Sequence, residues 1–200
     1  MAGGRPRKSD LNDVLGTVMK TFWIRGFEVT SMNHLSDATG MAKPGLYKAF
    51  GDKQALYSKA LKLYLTKFAE PMIDDLLNSP DSLVPVLRRN FERLTSTVLN
   101  KTGPKGCFIA CSLNEHPNMP ADLAELSSSY NERRTAAYAK RIRMAIKQGE
   151  LTADADEEAL SIYLTGQVLA ITVMARSGAD KRSLDRFIDM AMQALPLVEA

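Results

Sequence analysis

Apolar residues recur at helical spacing along almost the whole chain, and this limits the fold more than any other feature. Leu11, Val14, Leu15, Val18, Met19 and Phe22 form one stripe. Leu56, Tyr57, Ala60, Leu61, Tyr64 and Phe68 form a second, and Leu83, Val86, Leu87, Phe91, Leu94 and Val98 a third. Nowhere does a period of two persist long enough for a half-buried strand. The expected fold class is therefore all-α, with eight or nine helices. The 200 residues are enough to bury a core without disulfide or metal staples. With 45% hydrophobic and 24% charged residues, the composition excludes a disordered chain and a disulfide scaffold. No run approaches the ~18 consecutive apolar residues of a membrane helix. The polar, basic start carries no apolar leader segment. Cys107 and Cys111 lie too close together to close a useful loop, so a reducing cytoplasm is the expected setting.

Start and stop signals divide the stripes. Ser9 or Asp10 is expected to cap the first helix and Gly26 to end it. Thr30 and Ser31 open a short second helix with Met32, Leu35 and Ala38 inward. Gly40 turns the chain into a third helix, from about residue 42 to 50, held by Leu46 and Phe50. Asp52 caps a fourth, which Pro71 should kink or end, because its ring removes an amide donor and crowds the preceding turn. Further helices are expected over about 82–99, 107–115, 121–148, 154–176 and 183–195, with breaks at Gly103-Pro104-Lys105-Gly106, at residues 116–120 and at Gly149.

Charge is unevenly placed. Residues 1–53 hold eight Lys and Arg against five Asp and Glu, whereas the remainder balances at 18 of each. The whole excess of +3 therefore lies in the first quarter, as in a segment that meets a polyanion. In that quarter two short helices flank a glycine turn, the helix-turn-helix pattern. In such a unit the first helix braces across the nucleic-acid backbone and the second enters the major groove. The second helix here presents Lys43, Gly45, Tyr47 and Lys48 outward, with small Gly45 permitting close approach.

Gly26-Phe27, Thr30-Ser31, Gly40, Leu46-Tyr47, Phe50, Lys53 and Leu56 stand at the spacing found in the TetR family of bacterial transcriptional regulators, and the segment resembles that family closely. Gly106-Cys107, Gly149-Glu150-Leu151 and Ala175-Arg176-Ser177-Gly178 also resemble its landmarks. The resemblance implies a three-helix DNA-binding domain over residues 1–52. Over 53–200 it implies a helical domain that binds a small molecule and dimerises. It implies phosphate contacts from Thr30, Ser31 and Tyr47, sets Lys53 as a further DNA-binding residue at the start of the fourth helix, and places Ala42, Lys43, Pro44 and Gly45 at the tip of the recognition helix, with Lys48 alongside. The chain departs from the family at Ala49, where many members have His, and at Pro44, where many have Gly and which supplies no amide to a phosphate. The arm Arg5-Pro6-Arg7-Lys8 resembles leaders that reach an adjacent groove; it reads equally as a solubilising tail.

The implied function is a ligand-responsive homodimer, a repressor released from a palindromic double-stranded operator by a small, apolar effector. Cys107, Phe91 and Tyr130 are the candidate ligand or sensor residues. The alternative is a thiol-based sensor of oxidants or electrophiles acting through Cys107, with Lys105 favouring the thiolate. Cys107, Cys111 and His116 fall short of the four ligands of a structural zinc site, so no metal or other cofactor is expected. Neither a catalytic signature nor a glycine-rich phosphate loop after a strand is present, and no enzymatic activity is expected.

Overall fold

The computed structural model describes residues 8–100 and 103–198, with backbone alone for Lys8, Ser9, Asp10 and His116. The described chain is helical in the order α1 (Lys8–Arg25), α2 (Met32–Thr39), α3 (Lys43–Phe50), α4 (Lys53–Tyr64), a π-turn (Leu65–Ala69), α5 (Glu70–Asn78), α6 (Leu83–Val98), α7 (Phe108–Glu115), a 3-10 turn (His116–Asn118), α8 (Ala121–Lys147), α9 (Glu157–Arg176) and α10 (Lys181–Gln193). Among the described residues there is no strand, only an antiparallel bridge between Leu151 and Leu197. The all-α expectation holds. Since α4, the π-turn and α5 continue without a break, they form one long rod, and the described residues make nine rods.

Local chemistry accounts for most helix ends. Asp52 Oδ1 accepts from the Ala55 amide at 2.8 Å and starts α4. Asp156 does the same for Ala159 at 3.0 Å, so α9 begins at Glu157 and not at Asp154. Asp180 accepts from the Ser183 amide at 2.8 Å, so α10 begins ahead of Ser183, at Lys181. Ser9 and Asp10 are already helical and do not precede α1 as caps. Ala38 is exposed, leaving Leu35 as the buried anchor of α2. The arm residues Arg5, Pro6 and Arg7 lie outside the described residues.

Pro71 does not end the fourth helix, which runs on without a break to Asn78. The helix widens one turn earlier, and the Glu70 amide donates to the Leu65 carbonyl, five residues back. This places Pro71 in the first turn of α5, where its missing amide is least costly. The sequence reading did not foresee α5 as an element of its own.

Three rods meet where α1 gives way to α2. Trp23 packs edge-on to Tyr64 at 4.9 Å and stacks with Phe108 at 6.0 Å. Tyr57 packs edge-on to Phe22, Phe27 and Phe108 at 5.0, 5.2 and 5.4 Å. Pairs of this geometry contribute about 0.5–1.5 kcal/mol each beyond their burial. Hydrogen bonds tie the same junction to α7. Trp23 Nε1 donates to the Gly106 carbonyl at 3.0 Å, and the Phe27 amide donates to Glu115 Oε2 at 2.7 Å. The hydroxyls of Tyr57 and Ser112 lie 2.5 Å apart.

Elsewhere, Arg89 binds Asp75 at 2.9 Å and Asp81 at 2.8 Å across the α5–α6 connection, holding the Asp81 carboxyl below its ordinary range. The buried Arg141 guanidinium donates to the Ser79 and Asp81 carbonyls of the same connection. Among the described residues one helix, α9, is long and apolar enough to cross a membrane by length and composition alone. Here its Leu164, Val168, Ile171 and Ala175 are buried in the core, and it packs against α6, α7, α8 and α10.

Gly26 is the tightest point of the junction. Its φ of +84° is left-handed, and a Cβ there would land on the Glu115 carboxylate. Gly26→Ala is therefore expected to cost about 1–3 kcal/mol in denaturant unfolding. Gly149→Ala has an equally left-handed backbone but open space around it, and should cost less.

Candidate functional site

The two short helices after Gly26 lie in the first quarter of the chain, whose excess of +3 falls on residues 1–25, where five Lys and Arg face two Asp. Ser31 caps α2, its Oγ accepting from the His34 amide at 3.2 Å while His34 Nδ1 accepts from the Ser31 amide at 3.2 Å. This reciprocal arrangement is a capping box with histidine in the place usually taken by Glu or Gln. Gly40, at φ +68°, turns the chain into α3. Leu46 and Phe50 are buried and hold α3 to the body, so its opposite side is open.

That open side carries Lys43, Pro44, Tyr47 and Lys48, one face by their three- and four-residue spacing. Tyr47 is 49% exposed, an unusual position for an aromatic side chain and one suited to a contact with another molecule. Ala42 is exposed at the helix start. The first turn offers little amide hydrogen: Pro44 has none, and the Gly45 amide donates to the Ala42 carbonyl at 2.8 Å. Anion-binding capacity at this end therefore rests on side chains.

The remaining expected contacts are placed differently. The Thr30 side chain is buried, its hydroxyl donating to the Gly26 carbonyl at 2.6 Å, so it braces the turn and does not reach outward. Ser31 is half-buried. Gly45 is not simply open either; the Met41 side chain fills the space beside it, with Cε 3.1 Å from where a Cβ would stand. The absence of a side chain there serves this packing. Lys53 Nζ sits 4.3 Å above the Phe27 ring and donates to the Glu28 carbonyl at 3.3 Å, which fixes a cation at the head of α4.

A second site lies in the interior, between the α4–α5 rod and helices α6 to α9. A cavity of about 20 Å³ is lined by residues including Tyr64, Ala69, Met72, Cys107, Tyr130 and Arg134. Of the three expected ligand residues, Cys107 and Tyr130 line it. Phe91 does not: it is fully buried and stacks on Tyr138 at 6.4 Å, as part of the core. Sequence reasoning missed Arg134, because one of two successive arginines in a long helix reads as a solvated position.

The thiols offer little to a sensor. Cys107 is buried and its sulfur accepts from the Tyr64 hydroxyl at 3.2 Å. Burial pushes the Cys111 thiol up to about 11, against the opposing pull of Arg176, whose guanidinium is 3.1 Å from the sulfur. The cation found beside a thiol is thus Arg176 at Cys111, and not Lys105 at Cys107. The side chain of His116 lies outside the described residues.

Two family descriptions match in sequence. Residues 15–60 match "Bacterial regulatory proteins, tetR family", and residues 84–191 match "Tetracyclin repressor-like, C-terminal domain". The chain belongs to the TetR family. It is 28% identical over 198 residues to the HTH-type transcriptional repressor ComR of Escherichia coli, covering 97% of this chain and 91% of that protein. A cysteine mutant of the TetR family regulator CifR, solved with 26-base-pair double-strand operator DNA, superposes with a TM-score of 0.86 at 28% identity, over 96% of this chain and 100% of that one. A TetR family regulator from Agrobacterium tumefaciens shares the fold with a TM-score of 0.85 at 18% identity, over 94% and 98% of the two chains.

In this TetR-family chain Lys48 stands next to Tyr47 on the open side of α3. Lys48→Ala is expected to weaken binding to all duplexes alike and to lower the slope of log affinity against log salt by about 1. Titrations at several salt concentrations measure this. An unchanged slope with relaxed base preference assigns Lys48 to reading bases instead.

Proposed function

We propose that this protein is a homodimeric transcriptional repressor that binds a palindromic operator and releases it when a small molecule binds. The observation that carries this reading is the open side of α3, where Lys43, Tyr47 and Lys48 stand together on a helix held only from behind. The operator-bound state of CifR, a 28% identical protein of the same fold, supports the same use of the surface. Residues 1–52 form the DNA-binding domain, with Ser31, Ala42, Lys43, Pro44, Gly45, Tyr47, Lys48 and Lys53 at or beside the duplex and Thr30 bracing the turn. Residues 53–200 form the effector-binding and dimerisation domain. The place of action is the cytoplasm, where a bacterial regulator meets the chromosome.

Dimeric readers need their two recognition helices about one helical turn of DNA apart, ~34–36 Å. An effector that favours a conformation with another spacing releases DNA, by no more than its difference in affinity for the two states. The connection from cavity to α3 runs through Tyr64 on α4 and Cys107 beside α7, both of which line the cavity and belong to or adjoin rods that clamp the α1–α2 turn.

We place the twofold partner on α9 and α10. Ile162 on α9 is 59% exposed, Val173 53%, and Met190 on α10 63%, with Leu169 and Phe187 half-buried between them. A helix that is apolar on its outer side as well as its inner one calls for a cover, and an isologous contact with a second copy supplies it.

Selection of bound duplexes from a random pool tests the DNA reading; enrichment of an inverted repeat with half-sites about one turn apart is the expected result. Sedimentation of the wild type at micromolar concentration should show a dimer, and Ile162→Asp with Val173→Asp should shift it to monomer with loss of operator binding. A monomeric wild type would rule out the two-half-site mechanism.

A further inference from the structure

We propose that the effector is a small monocarboxylate with an apolar body, its charge taken up by Arg134. The proposal rests on the effector reading above and deepens it. Arg134 is 5% exposed and lines the internal cavity. Its Nε has no hydrogen-bond partner, and one terminal nitrogen donates to Asn131 Oδ1 at 2.5 Å. No Asp or Glu lines the cavity. The adjacent Arg133 points the other way and holds Glu70 in a two-pronged pair, at 2.8 and 3.0 Å. One of two successive arginines is therefore fully paired near the surface, and the other is buried without a counter-charge.

A guanidinium cannot shed its proton inside a protein, and a buried charge without a partner opposes folding. The field of Arg134 is felt by its neighbours. Burial pushes the phenols of Tyr130 and Tyr138 upward, and Arg134 opposes that push at both. An anion in the cavity supplies the missing partner.

The other polar groups of the wall are already committed. The Tyr64 hydroxyl donates to Cys107 Sγ, and the Tyr130 hydroxyl donates to the Ala69 carbonyl at 2.9 Å. Asn90 donates to the Met72 carbonyl at 2.9 Å and accepts from Tyr138 at 3.2 Å. Spare donor capacity is concentrated in one planar, singly charged fork, which matches one carboxylate. A phosphate dianion asks for more cations than the wall holds. Beyond Arg134 the wall is Ile73, Leu76, Leu94, Ile109 and Val168, which suits a hydrocarbon body.

The test uses the full-length protein, thermal-shift measurement and calorimetry. The probes are butyrate, octanoate and benzoate, their neutral amides, and inorganic phosphate. At least one carboxylate is expected to raise Tm saturably, with its amide needing about tenfold or more higher concentration for the same shift. Arg134→Met should fold with a Tm at or above that of the wild type and lose the acid's advantage over the amide. Arg134→Lys keeps the charge without the fork, and should bind the acid more weakly than wild type but better than its amide; it decides the matter if the Met variant does not fold. Equal response to acid and amide, an Arg134→Met response like that of wild type, a preference for phosphate, or no response to any carboxylate each overturns the proposal. Salt-dependent duplex binding by the unliganded protein is measured beside these. If it persists while the carboxylate response fails, this proposal falls and the regulator reading stands.

Discussion

The clamp between the α1–α2 turn and the two ends of α7 fixes where α2 and α3 sit relative to the rest of the molecule. At the head of α7 the Gly106 carbonyl receives the Trp23 indole, and at its tail Glu115 receives the Phe27 amide. An eight-residue helix is about 12 Å long, so these bonds act at both ends of a short strut and resist its rotation as well as its sliding. The contact is polar at its edges and aromatic at its centre, where Phe108 packs against Trp23, Tyr57 and Tyr64. A bond from a backbone amide to a carboxylate is stronger than one to a neutral acceptor, and Gly26 leaves the carboxylate room to reach it. Replacement of any of these groups acts on α2 and α3 through α1 and α4, the helices against which they pack.

The same strut touches the cavity. Cys107, just before α7, and Ile109 within it line the wall, and so does Tyr64 at the end of α4. The π-turn completes the wall with Ala69, whose carbonyl accepts from Tyr130. Under the proposed function this is an economical arrangement. A molecule that enlarges the cavity pushes on α7 and on α4, the two elements that clamp the α1–α2 turn. The cavity is small, about 20 Å³, so an effector cannot enter without displacing wall atoms. Cores repack by discrete steps more readily than they stretch, and a π-turn is a place where a helix already departs from its regular winding.

Much of this was legible in the sequence, for physical reasons that can be named. The stripes Leu56 to Phe68 and Leu83 to Val98 announced helices because burial imposes a 3.6-residue period on apolar residues. The spacing from Gly26 to Leu56 announced the short helices because turn glycines and inward Leu46 and Phe50 leave few alternatives. The failures also have a pattern. Helix starts at Glu157 and Lys181 depend on which of several nearby acids turns its oxygen to an amide, and sequence does not say which of Asp154 and Asp156 does so. Ala38 is small enough to sit on either face. Thr30 was read as an outward hydroxyl, but a threonine four residues after a carbonyl that lacks a helical partner finds that carbonyl first. Phe91 has the chemistry of a ligand contact and of a core residue alike, and only the packing tells them apart.

Arg134 marks the limit of sequence reading most clearly. Arg133 and Arg134 are adjacent, identical in type, and separated by the 100° that one helical residue turns. That rotation alone sends one to Glu70 near the surface and the other into the interior. Nothing local distinguishes them, since the choice is made by what α4, α5, α6 and α9 place around α8. The consequence is chemical. At the surface an arginine is screened and its pairing contributes little. In the cavity the same group is desolvated, held to one side-chain oxygen on its own helix, and surrounded by apolar side chains and spent hydrogen bonds. The fold tolerates that position at a cost, and a cost of this kind is more readily understood in a binding site than in a core, where a methionine of similar length would fill the space without it.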